Sequence, residues 1–289
     1  MENARPYTTE YLTSEDGTVI SYRKLGHGDG VILIHGALQA AQNFMKLANA
    51  LANDFTIYIL TRRGRGQSGP FGTNYCLAKD LEDVAALIAK TNAHNVFGLS
   101  SGAIISLHAA LTNPAIHKLA IYEPPLSGKR TSLVNTFAAK YEKELAAGNL
   151  AAAFVTLIKG MKVSKIFSVL PRFLLVPMVK GLIKKNAATK PADDVSLAAL
   201  IPTWRYDNLL VQETVGPLER FKELQTDTLL LSGSNSPAYL KNVVNRLNSV
   251  LPYARHIEFK DLDHVGPGDT GKPAIVAEEL KTFFYNRKK

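Results

Sequence analysis

The sequence predicts an α/β protein with a doubly wound, mostly parallel sheet and an inserted helical cap. Short, wholly apolar runs such as Val31–Ile34 alternate with amphipathic helical segments such as Ala78–Thr91, a pattern typical of parallel strands buried beneath helices on both faces. The alternation stops between Leu126 and about Gln212, where only helical patterns occur, and it resumes at Thr228–Leu231. With 289 residues, of which 46% are hydrophobic, the chain is long enough to bury such a sheet.

The first part of the core is expected to span residues 1–125. Two antiparallel strands begin it, because two alternating segments are separated by a glycine turn. Parallel strands and helices follow. The strands are expected at Tyr7–Ser14, Val19–Leu25, Val31–Ile34, Thr56–Leu60, Asn95–Leu99 and Lys118–Tyr122, and the helices at Asn43–Leu51, at Ala78–Thr91 and after Leu99. The polar amino terminus lacks the apolar segment of a secretion signal, so the expected location is the cytoplasm.

The cap is expected to span residues 126–212, and the second part of the core residues 213–289. The spacing of apolar residues predicts four cap helices with prolines as breaks or kinks, at Thr131–Gly148, Leu150–Met161, Ile166–Lys185 and Val195–Leu210. The sheet pattern then resumes, with strands at Thr228–Leu231 and Arg255–Phe259 and helices at Pro237–Val250 and Ala274–Phe284.

The cap carries nearly all of the formal charge of +9, with 13 Lys and Arg against 5 Asp and Glu between Leu126 and Gln212. A solvated basic face is the first interpretation, and attraction of acidic substrates or of an anionic membrane surface is the second. No nucleic-acid-binding motif accompanies the charge, so nucleic acid is not an expected partner. The most apolar stretch, Ile166–Val179, is too interrupted to span a bilayer. We expect it to pack in the cap and line an apolar substrate pocket, with membrane contact as the alternative.

One motif predicts a nucleophile. Gly98-Leu99-Ser100-Ser101-Gly102 follows a short apolar run and opens an apolar helical pattern. A strand, a sharp turn and a helix in this order push the side chain at the turn out of the sheet and require small residues on both sides. The sequence therefore presents Ser100 as a candidate nucleophile, with Ser101 as the rival one residue further on.

Together with this motif, His35-Gly36, the loop Arg63-Gly64-Arg65-Gly66-Gln67-Ser68 and a late histidine make the chain resemble the α/β-hydrolase family over essentially its whole length. The resemblance implies that Ser100 is the nucleophile and that its base is a histidine after the last strand. Of the seven histidines, only His264 follows that strand at a plausible distance. The resemblance also implies an oxyanion hole made by the backbone N–H groups of Ala37 and Ser101.

The third catalytic member departs from the family pattern. The family usually has an acid after the strand that follows the cap, and this sequence has Ser232-Gly233-Ser234-Asn235 there. Glu123, at the end of the strand after the elbow, is the first candidate, because some relatives with this fold take their acid from that position. Asn235 is an alternative that supplies no charge. Asp261 and Asp263, in the histidine loop, are two further alternatives. The last alternative is a site that has no working third member.

The resemblance implies a serine hydrolase that cleaves an ester, lactone or thioester of a small, largely apolar molecule. The same fold hosts lyases and acyltransferases, and it also hosts non-hydrolytic binding proteins, which is the alternative that the missing acid suggests. The single cysteine, Cys76, and the scattered histidines form no metal-ligand pattern, and the glycines of the arginine loop lack the setting of a dinucleotide site. No cofactor and no metal are therefore expected, and the sequence makes no prediction of oligomeric state.

Overall fold

Eight strands form one sheet in the computed structural model, which describes residues 5–127 and 132–285. The order across the sheet is β1-β2-β4-β3-β5-β6-β7-β8; β2 is antiparallel to β1 and β4, and the other neighbours are parallel. The strands are β1 Thr8–Thr13, β2 Val19–Gly26, β3 Asp29–Ile34, β4 Phe55–Leu60, β5 Asn95–Leu99, β6 Lys118–Tyr122, β7 Asp227–Gly233 and β8 Ala254–Phe259. This confirms the predicted fold class and its antiparallel start.

Helices cover both faces of the sheet and also fill the chain between β6 and β7. They are α1 Met45–Leu51, α2 Leu77–Thr91, α3 Ser101–Thr112, α4 Ser132–Ala146, α5 Leu150–Met161, α6 Lys165–Val169, α7 Arg172–Thr189, α8 Leu197–Leu200, α9 Trp204–Glu213, α10 Ala238–Val250 and α11 Pro273–Tyr285. Shorter 3-10 segments are Ala41–Phe44, Ile201–Thr203 and Leu218–Glu223. Throughout, "cap" means the helices α4 to α9.

The parallel strands are buried on both faces, which explains their unbroken apolar runs. In β3, Ile32 and Ile34 belong to the core layer that contains Ile104 of α3. Val31 and Leu33, which point to the opposite face, belong to the layer that contains Leu280 of α11. The sheet therefore separates two apolar layers, and the ends of its strands remain available for a site.

Two of the four predicted cap helices are wrong in extent. The predicted helix Ile166–Lys185 is two helices, because Pro171 adopts an extended conformation (φ −62°, ψ 144°) immediately before α7. The predicted helix Val195–Leu210 is α8, a 3-10 turn and α9. Pro177, expected to break or kink a helix, does not break α7, which continues through it with Leu175 and Val179 buried on either side. Thr131, the expected start of the first cap helix, lies outside the described residues.

The expected burial of Ile166–Val179 is correct for only one face of α7. Leu175 and Val179 are buried, but Phe173 is 74% exposed, and Leu174 and Met178 are also exposed. The apolar stretch therefore divides between the interior and the surface of the cap. None of the described helices is long and apolar enough to cross a membrane.

Candidate active site

Ser100 lies at the turn between β5 and α3, in a backbone conformation that residues other than glycine rarely adopt (φ 56°, ψ −119°). Its N–H donates to the Tyr122 carbonyl at 2.9 Å, which ties the turn to β6. A Cβ at Gly98 would lie 2.3 Å from Ser106 Oγ, and one at Gly102 would lie 2.2 Å from the Ile34 carbonyl oxygen. The turn therefore requires glycine at both positions, and it brings the end of β5 close to the end of β3.

The predicted base, His264, and the first candidate acid, Glu123, are in contact. His264 Nδ1 lies 2.7 Å from Glu123 Oε2, and the Glu123 side chain is fully buried while that of His264 is 12% exposed. The other carboxylate oxygen, Oε1, accepts a hydrogen bond of 2.8 Å from the N–H of Gly233. A carboxylate from the end of β6 thus occupies the place beside β7 where the family pattern would have its acid.

The other candidates for the third member have different surroundings. Asp263 Oδ1 accepts from the Val265 N–H at 3.1 Å, as in a tight turn. Asp261 has a positive φ of 59°, and its N–H donates to Ser234 Oγ. The N–H of Asn235 donates to the Leu262 carbonyl at 2.8 Å. Glu123 is the carboxylate that holds His264 Nδ1.

Ser100 and His264 lie at the same edge of the sheet. Tyr122 links them, because its carbonyl accepts from the Ser100 N–H and its hydroxyl donates to the Asp263 carbonyl at 2.8 Å, one residue before His264. Within residues 5–127 and 132–285, no hydrogen bond joins the Ser100 hydroxyl to the His264 ring. Catalytic hydrogen bonds are often long before substrate binds and shorten in the complex.

The two backbone groups expected to form the oxyanion hole lie on either side of Ser100. A Cβ at Gly36 would be 3.0 Å from Ser100 Cβ, so the loop that carries Ala37 packs against the turn at Ser100. Ser101 is the first residue of α3, and the N–H groups of a helix's first turn have no partner inside the helix. Among the described residues, neither the Ala37 N–H nor the Ser101 N–H has an acceptor.

A buried histidine and an arginine hold the peptide between Gly36 and Ala37. His35 Nε2 accepts from the Arg62 N–H at 3.3 Å, and Nδ1 lies 3.1 Å from the Gly36 carbonyl oxygen and 3.0 Å from Arg65 Nη1. Arg65 Nη1 donates to the same oxygen at 3.3 Å. Burial, and then the charges of Arg65 and Arg62, lower the pKa of His35 well below its ordinary value, so the ring stays neutral.

Sequence reasoning missed the carboxylate that joins the cap to this loop, Asp207 of α9. Its Oδ2 lies 2.6 Å from Arg65 Nη2, and its Oδ1 lies 2.7 Å from Arg62 Nη1. The same Oδ1 accepts from the Ser101 hydroxyl at 2.7 Å, so the rival serine is hydrogen-bonded to an acid of the cap. The available signal was the run of arginines at 62, 63 and 65 in a loop between buried elements, since buried guanidinium groups require carboxylate partners.

Other features of the described chain lie away from Ser100. A cavity of about 530 Å³ opens beside Asp29, His94, Asn95 and Lys118, at the amino ends of the parallel strands and thus at the opposite end of the sheet. No cluster of three or more His, Cys, Asp or Glu in the described part of the chain could hold a metal ion. The chemistry-bearing residues converge at the carboxyl ends of the strands.

Comparisons with known proteins agree with this fold. An α/β hydrolase from Sphaerobacter thermophilus is 29% identical, with a TM-score of 0.76 over 95% of this chain and 100% of that chain. The uncharacterized hydrolase YraK of Bacillus subtilis is 36% identical over 115 residues, which are 38% of this chain and 42% of that protein. The pimeloyl-[acyl-carrier protein] methyl ester esterase of Xanthomonas campestris is 33% identical over 97 residues, which are 34% of this chain and 37% of that protein. Each match therefore spans less than half of the curated relative.

A sequence model of the α/β hydrolase fold matches residues 30–268, a range that contains Ser100, Glu123, Asp207 and His264. The resemblance inferred from the motifs is thereby confirmed. The chain belongs to the α/β hydrolase fold family.

Proposed function

We propose that this protein is a serine hydrolase that cleaves an ester of a small, largely apolar molecule through an acyl-enzyme on Ser100. The observation that carries the proposal is the contact of 2.7 Å between buried Glu123 and His264, at the sheet edge where a turn with positive φ places Ser100. A serine hydroxyl needs a base to become a nucleophile at neutral pH, and a base needs a partner that fixes its tautomer. These residues supply both.

In the first half of the reaction, His264 Nε2 takes the proton from Ser100 Oγ as that oxygen attacks the ester carbonyl carbon. Glu123 keeps the proton of the ring on Nδ1 and stabilises the imidazolium. The N–H groups of Ala37 and Ser101 donate to the oxygen that becomes negative in the tetrahedral intermediate. His264 then gives its proton to the leaving alkoxide, and the alcohol departs.

In the second half, His264 takes a proton from water, whose oxygen attacks the acyl carbon. The resulting tetrahedral intermediate uses the same two N–H donors, and its collapse returns the proton to Ser100 Oγ and releases the carboxylic acid. The scheme needs no cofactor. A lactone would open by the same steps, and a thioester would release a thiol in place of an alcohol.

An apolar cluster of the cap supports an apolar substrate. Buried Tyr141, Ile201 and Trp204 form a cluster against which Ala37 and Leu38 of the oxyanion loop pack. A substrate whose carbonyl oxygen points to Ala37 would therefore have apolar side chains nearby, and burying each methylene group of the substrate there contributes about 0.8 kcal/mol. That one relative is a methyl ester esterase agrees with an ester as substrate.

A non-hydrolytic binding protein was the alternative suggested by the missing acid after β7. Glu123 weakens it, because its Oε1 accepts from Gly233 at the end of β7 while its Oε2 contacts His264. The reason for expecting a site without its third member is thereby removed. Lyase and acyltransferase reactions would use the same residues with a different second reactant, and we propose hydrolysis because water is always available as that reactant.

The test is intact-mass analysis after treatment with a fluorophosphonate, followed by peptide mapping. We expect one adduct, on Ser100, which is absent from Ser100→Ala and from His264→Ala. Ser249→Ala, which changes an exposed serine on α10, is the matched control and should retain the adduct. Folded protein without any adduct, or an adduct on another serine that Ser100→Ala retains, would contradict the proposal.

A further inference from the structure

We propose that Asp207 of the cap is a positioning residue that orients both N–H donors of the oxyanion hole, an inference that rests on the proposed function. Each of its two carboxylate oxygens acts on a different N–H donor of the oxyanion hole. Oδ2 holds Arg65 at 2.6 Å, and Arg65 in turn holds the Gly36 carbonyl. Oδ1 accepts from the Ser101 hydroxyl at 2.7 Å. One side chain of α9 thus contacts both the guanidinium that holds the Gly36–Ala37 peptide and the side chain of Ser101.

The first branch acts on a single peptide group. The Gly36 carbonyl and the Ala37 N–H belong to the same peptide unit, which is planar and trans, so fixing the direction of the oxygen fixes the opposite direction of the N–H. The charged donor Arg65 also polarises this peptide, because hydrogen bonds in a chain strengthen one another. The Ala37 N–H is thereby both aimed and made a stronger donor.

The second branch acts at the start of α3. The Ser101 side chain is buried, and its hydroxyl is held between Asp207 Oδ1 and Arg62 Nη1, which lies 3.2 Å away. A held side chain restricts rotation of the first turn, and therefore the direction in which the Ser101 N–H points. Both branches are shielded from water, since Arg65 and Asp207 have side-chain exposures of 0% and 3%.

A consequence for catalysis follows from the place of Asp207 in the cap. The oxyanion donors interact with charge that exists only in the transition state, so their alignment changes kcat more than ground-state binding. When α9 is seated on the core, the donors are aligned; when it is displaced, they lose this alignment while Glu123 and His264 keep theirs. The seating of the cap is thereby linked to the chemical step.

The test compares Asp207→Asn with Asp83→Asn as a matched control. Asp83 pairs with Arg63 of the same loop, both side chains being 1% exposed, and that pair touches neither oxyanion donor. We expect Asp207→Asn to lower kcat about 100-fold with KM changed less than about threefold, in line with the loss of an oxyanion donor. Its affinity for a boronic acid, whose tetrahedral adduct on Ser100 places an oxygen in the oxyanion hole, should fall by a similar factor. Asp83→Asn should lower stability but leave both quantities near the parent values.

A second variant keeps the proposal testable if Asp207→Asn folds poorly. Ser101→Ala removes one branch and leaves every ion pair of Asp207 in place, so we expect a smaller fall in kcat, in boronate affinity and in Tm than in Asp207→Asn. Equal losses of boronate affinity in Asp207→Asn and Asp83→Asn, or unchanged affinity in Ser101→Ala, would overturn the inference alone. A parent protein that neither reacts with a fluorophosphonate nor hydrolyses esters would instead overturn the proposed function.

The outer face of α7 is apolar near the start of the helix and basic towards its end. Near its start it exposes Phe173, Leu174 and Met178, and Val169 just before it is 81% exposed. Towards its end it exposes Lys180, Lys184 and Lys185, and none of these lysines has a salt bridge with a described carboxylate. A helix that is apolar at one end and basic along the other fits the boundary of an anionic bilayer, where apolar side chains enter and lysines meet the head groups.

We infer that this face binds the surface of a membrane that contains anionic lipid. The five acidic residues of the cap segment, residues 126–212, do not neutralise these lysines, because each has another partner. Asp193 and Asp194 pair with Arg23 of β2, and Asp207 pairs with the arginine loop. Glu144 pairs with Arg172 at the start of α7, and Glu142 pairs with Arg205 of α9. A second copy of the chain would bring a further set of lysines to the same face. Charge complementarity therefore favours lipid over self-association.

Co-sedimentation with vesicles tests this surface. The parent should bind vesicles of phosphatidylcholine mixed with phosphatidylserine and not phosphatidylcholine alone, and high salt should release it. Phe173→Ser with Met178→Ser, and separately Lys184→Gln with Lys185→Gln, should lose most of the binding. Ile275→Ser, an exposed apolar residue of α11, is the control and should retain it. No binding of the parent, or a dimer that the first pair of changes dissociates, would overturn the proposal.

Discussion

The acid–base side that we propose for Ser100 and its proposed oxyanion side are held by different parts of the chain. Glu123 directly follows β6, its partner Gly233 ends β7, and His264 follows β8, so the proposed acid–base side lies at adjacent strand ends. The oxyanion side depends in addition on Asp207, which belongs to α9 of the cap. A change in the cap should therefore affect the two sides unequally.

The difference has a physical origin in the sheet. The parallel strands β6, β7 and β8 have a fixed register through backbone hydrogen bonds, and their carboxyl ends meet at one edge. The arginine loop has no such register, and its direction depends on buried ion pairs. In a buried pair, removing one partner leaves an uncompensated charge, so its geometry is sensitive to the presence of the other element.

Among changes on the proposed acid–base side, removal of the Ser100 hydroxyl or of the His264 ring should lower turnover most. We expect Ser100→Ala and His264→Ala each to lower kcat for an ester substrate by about 10⁴–10⁶-fold, because nucleophile and base act as a unit. Far-ultraviolet circular dichroism should be unchanged. Retention of more than a few per cent of the parent turnover in either variant would contradict the assigned roles.

Glu123→Gln should have the next largest effect. An amide can select the wrong tautomer of His264, and we expect kcat to fall by about 10³–10⁴-fold. Asp263→Asn is the matched control in the histidine loop, since the amide oxygen can still accept from Val265, and it should lower kcat less than about threefold. Equal activity of the two variants would remove Glu123 from the mechanism.

Packing of the cap predicts a contrast between two neighbouring leucines of α7. Leu175 is fully buried and Leu174 is half exposed. We expect Leu175→Ala to lower the free energy of unfolding by about 2–5 kcal/mol, and Leu174→Ala by less than about 0.5 kcal/mol. Chemical denaturation measures both. Similar values would mean that α7 presents a different face to the cap interior.

The junction between cap and core should weaken in acid. Burial would raise the pKa of Asp207, but Arg65 and Arg62 outweigh it and hold that pKa below its ordinary value. Since the folded pKa lies below the unfolded value of about 3.9, the carboxylate stabilises the fold above that pH, and this stabilisation is lost as the pH falls through the lowered folded pKa.

The free energy of unfolding of the parent should therefore fall below about pH 4 through this group. Asp207→Asn should show a smaller dependence over the same range. Urea denaturation at about pH 5 and about pH 3 measures the difference. If the free energy of unfolding changes equally between these two pH values in the parent and in the variant, Asp207 is not a source of the acid sensitivity.

The fold could be predicted from local apolar patterns, and the resemblance to the α/β-hydrolase family pointed to Glu123 and His264, which the structure places in contact. The Gly98–Gly102 motif specifies a turn that directs its side chain out of the sheet. Glu123 was a candidate because some members of the family take their acid from the end of this strand. Asp207 could not be predicted in this way. It lies far along the chain from Arg65, and nothing in either segment specifies which acid meets which arginine.

The cap shows the same limit. Apolar spacing located its helices, but Pro171 began a new helix whereas Pro177 did not end one, because packing of Leu175 and Val179 maintains α7. The exposed side chains of Phe173 and Met178 belong to an apolar stretch that resembles a buried one in the sequence. Which face of such a helix is covered depends on its neighbours and not on its own composition.

The most direct test of the separate support of the two sides is a double-mutant cycle of Glu123→Gln and Asp207→Asn, measured as kcat/KM for one ester. If the sheet holds one side and the cap holds the other, the two losses should multiply in the double variant to within about twofold, as expected for independent sites. A double variant no slower than Glu123→Gln alone would contradict the account, because the two carboxylates would then act through one shared arrangement.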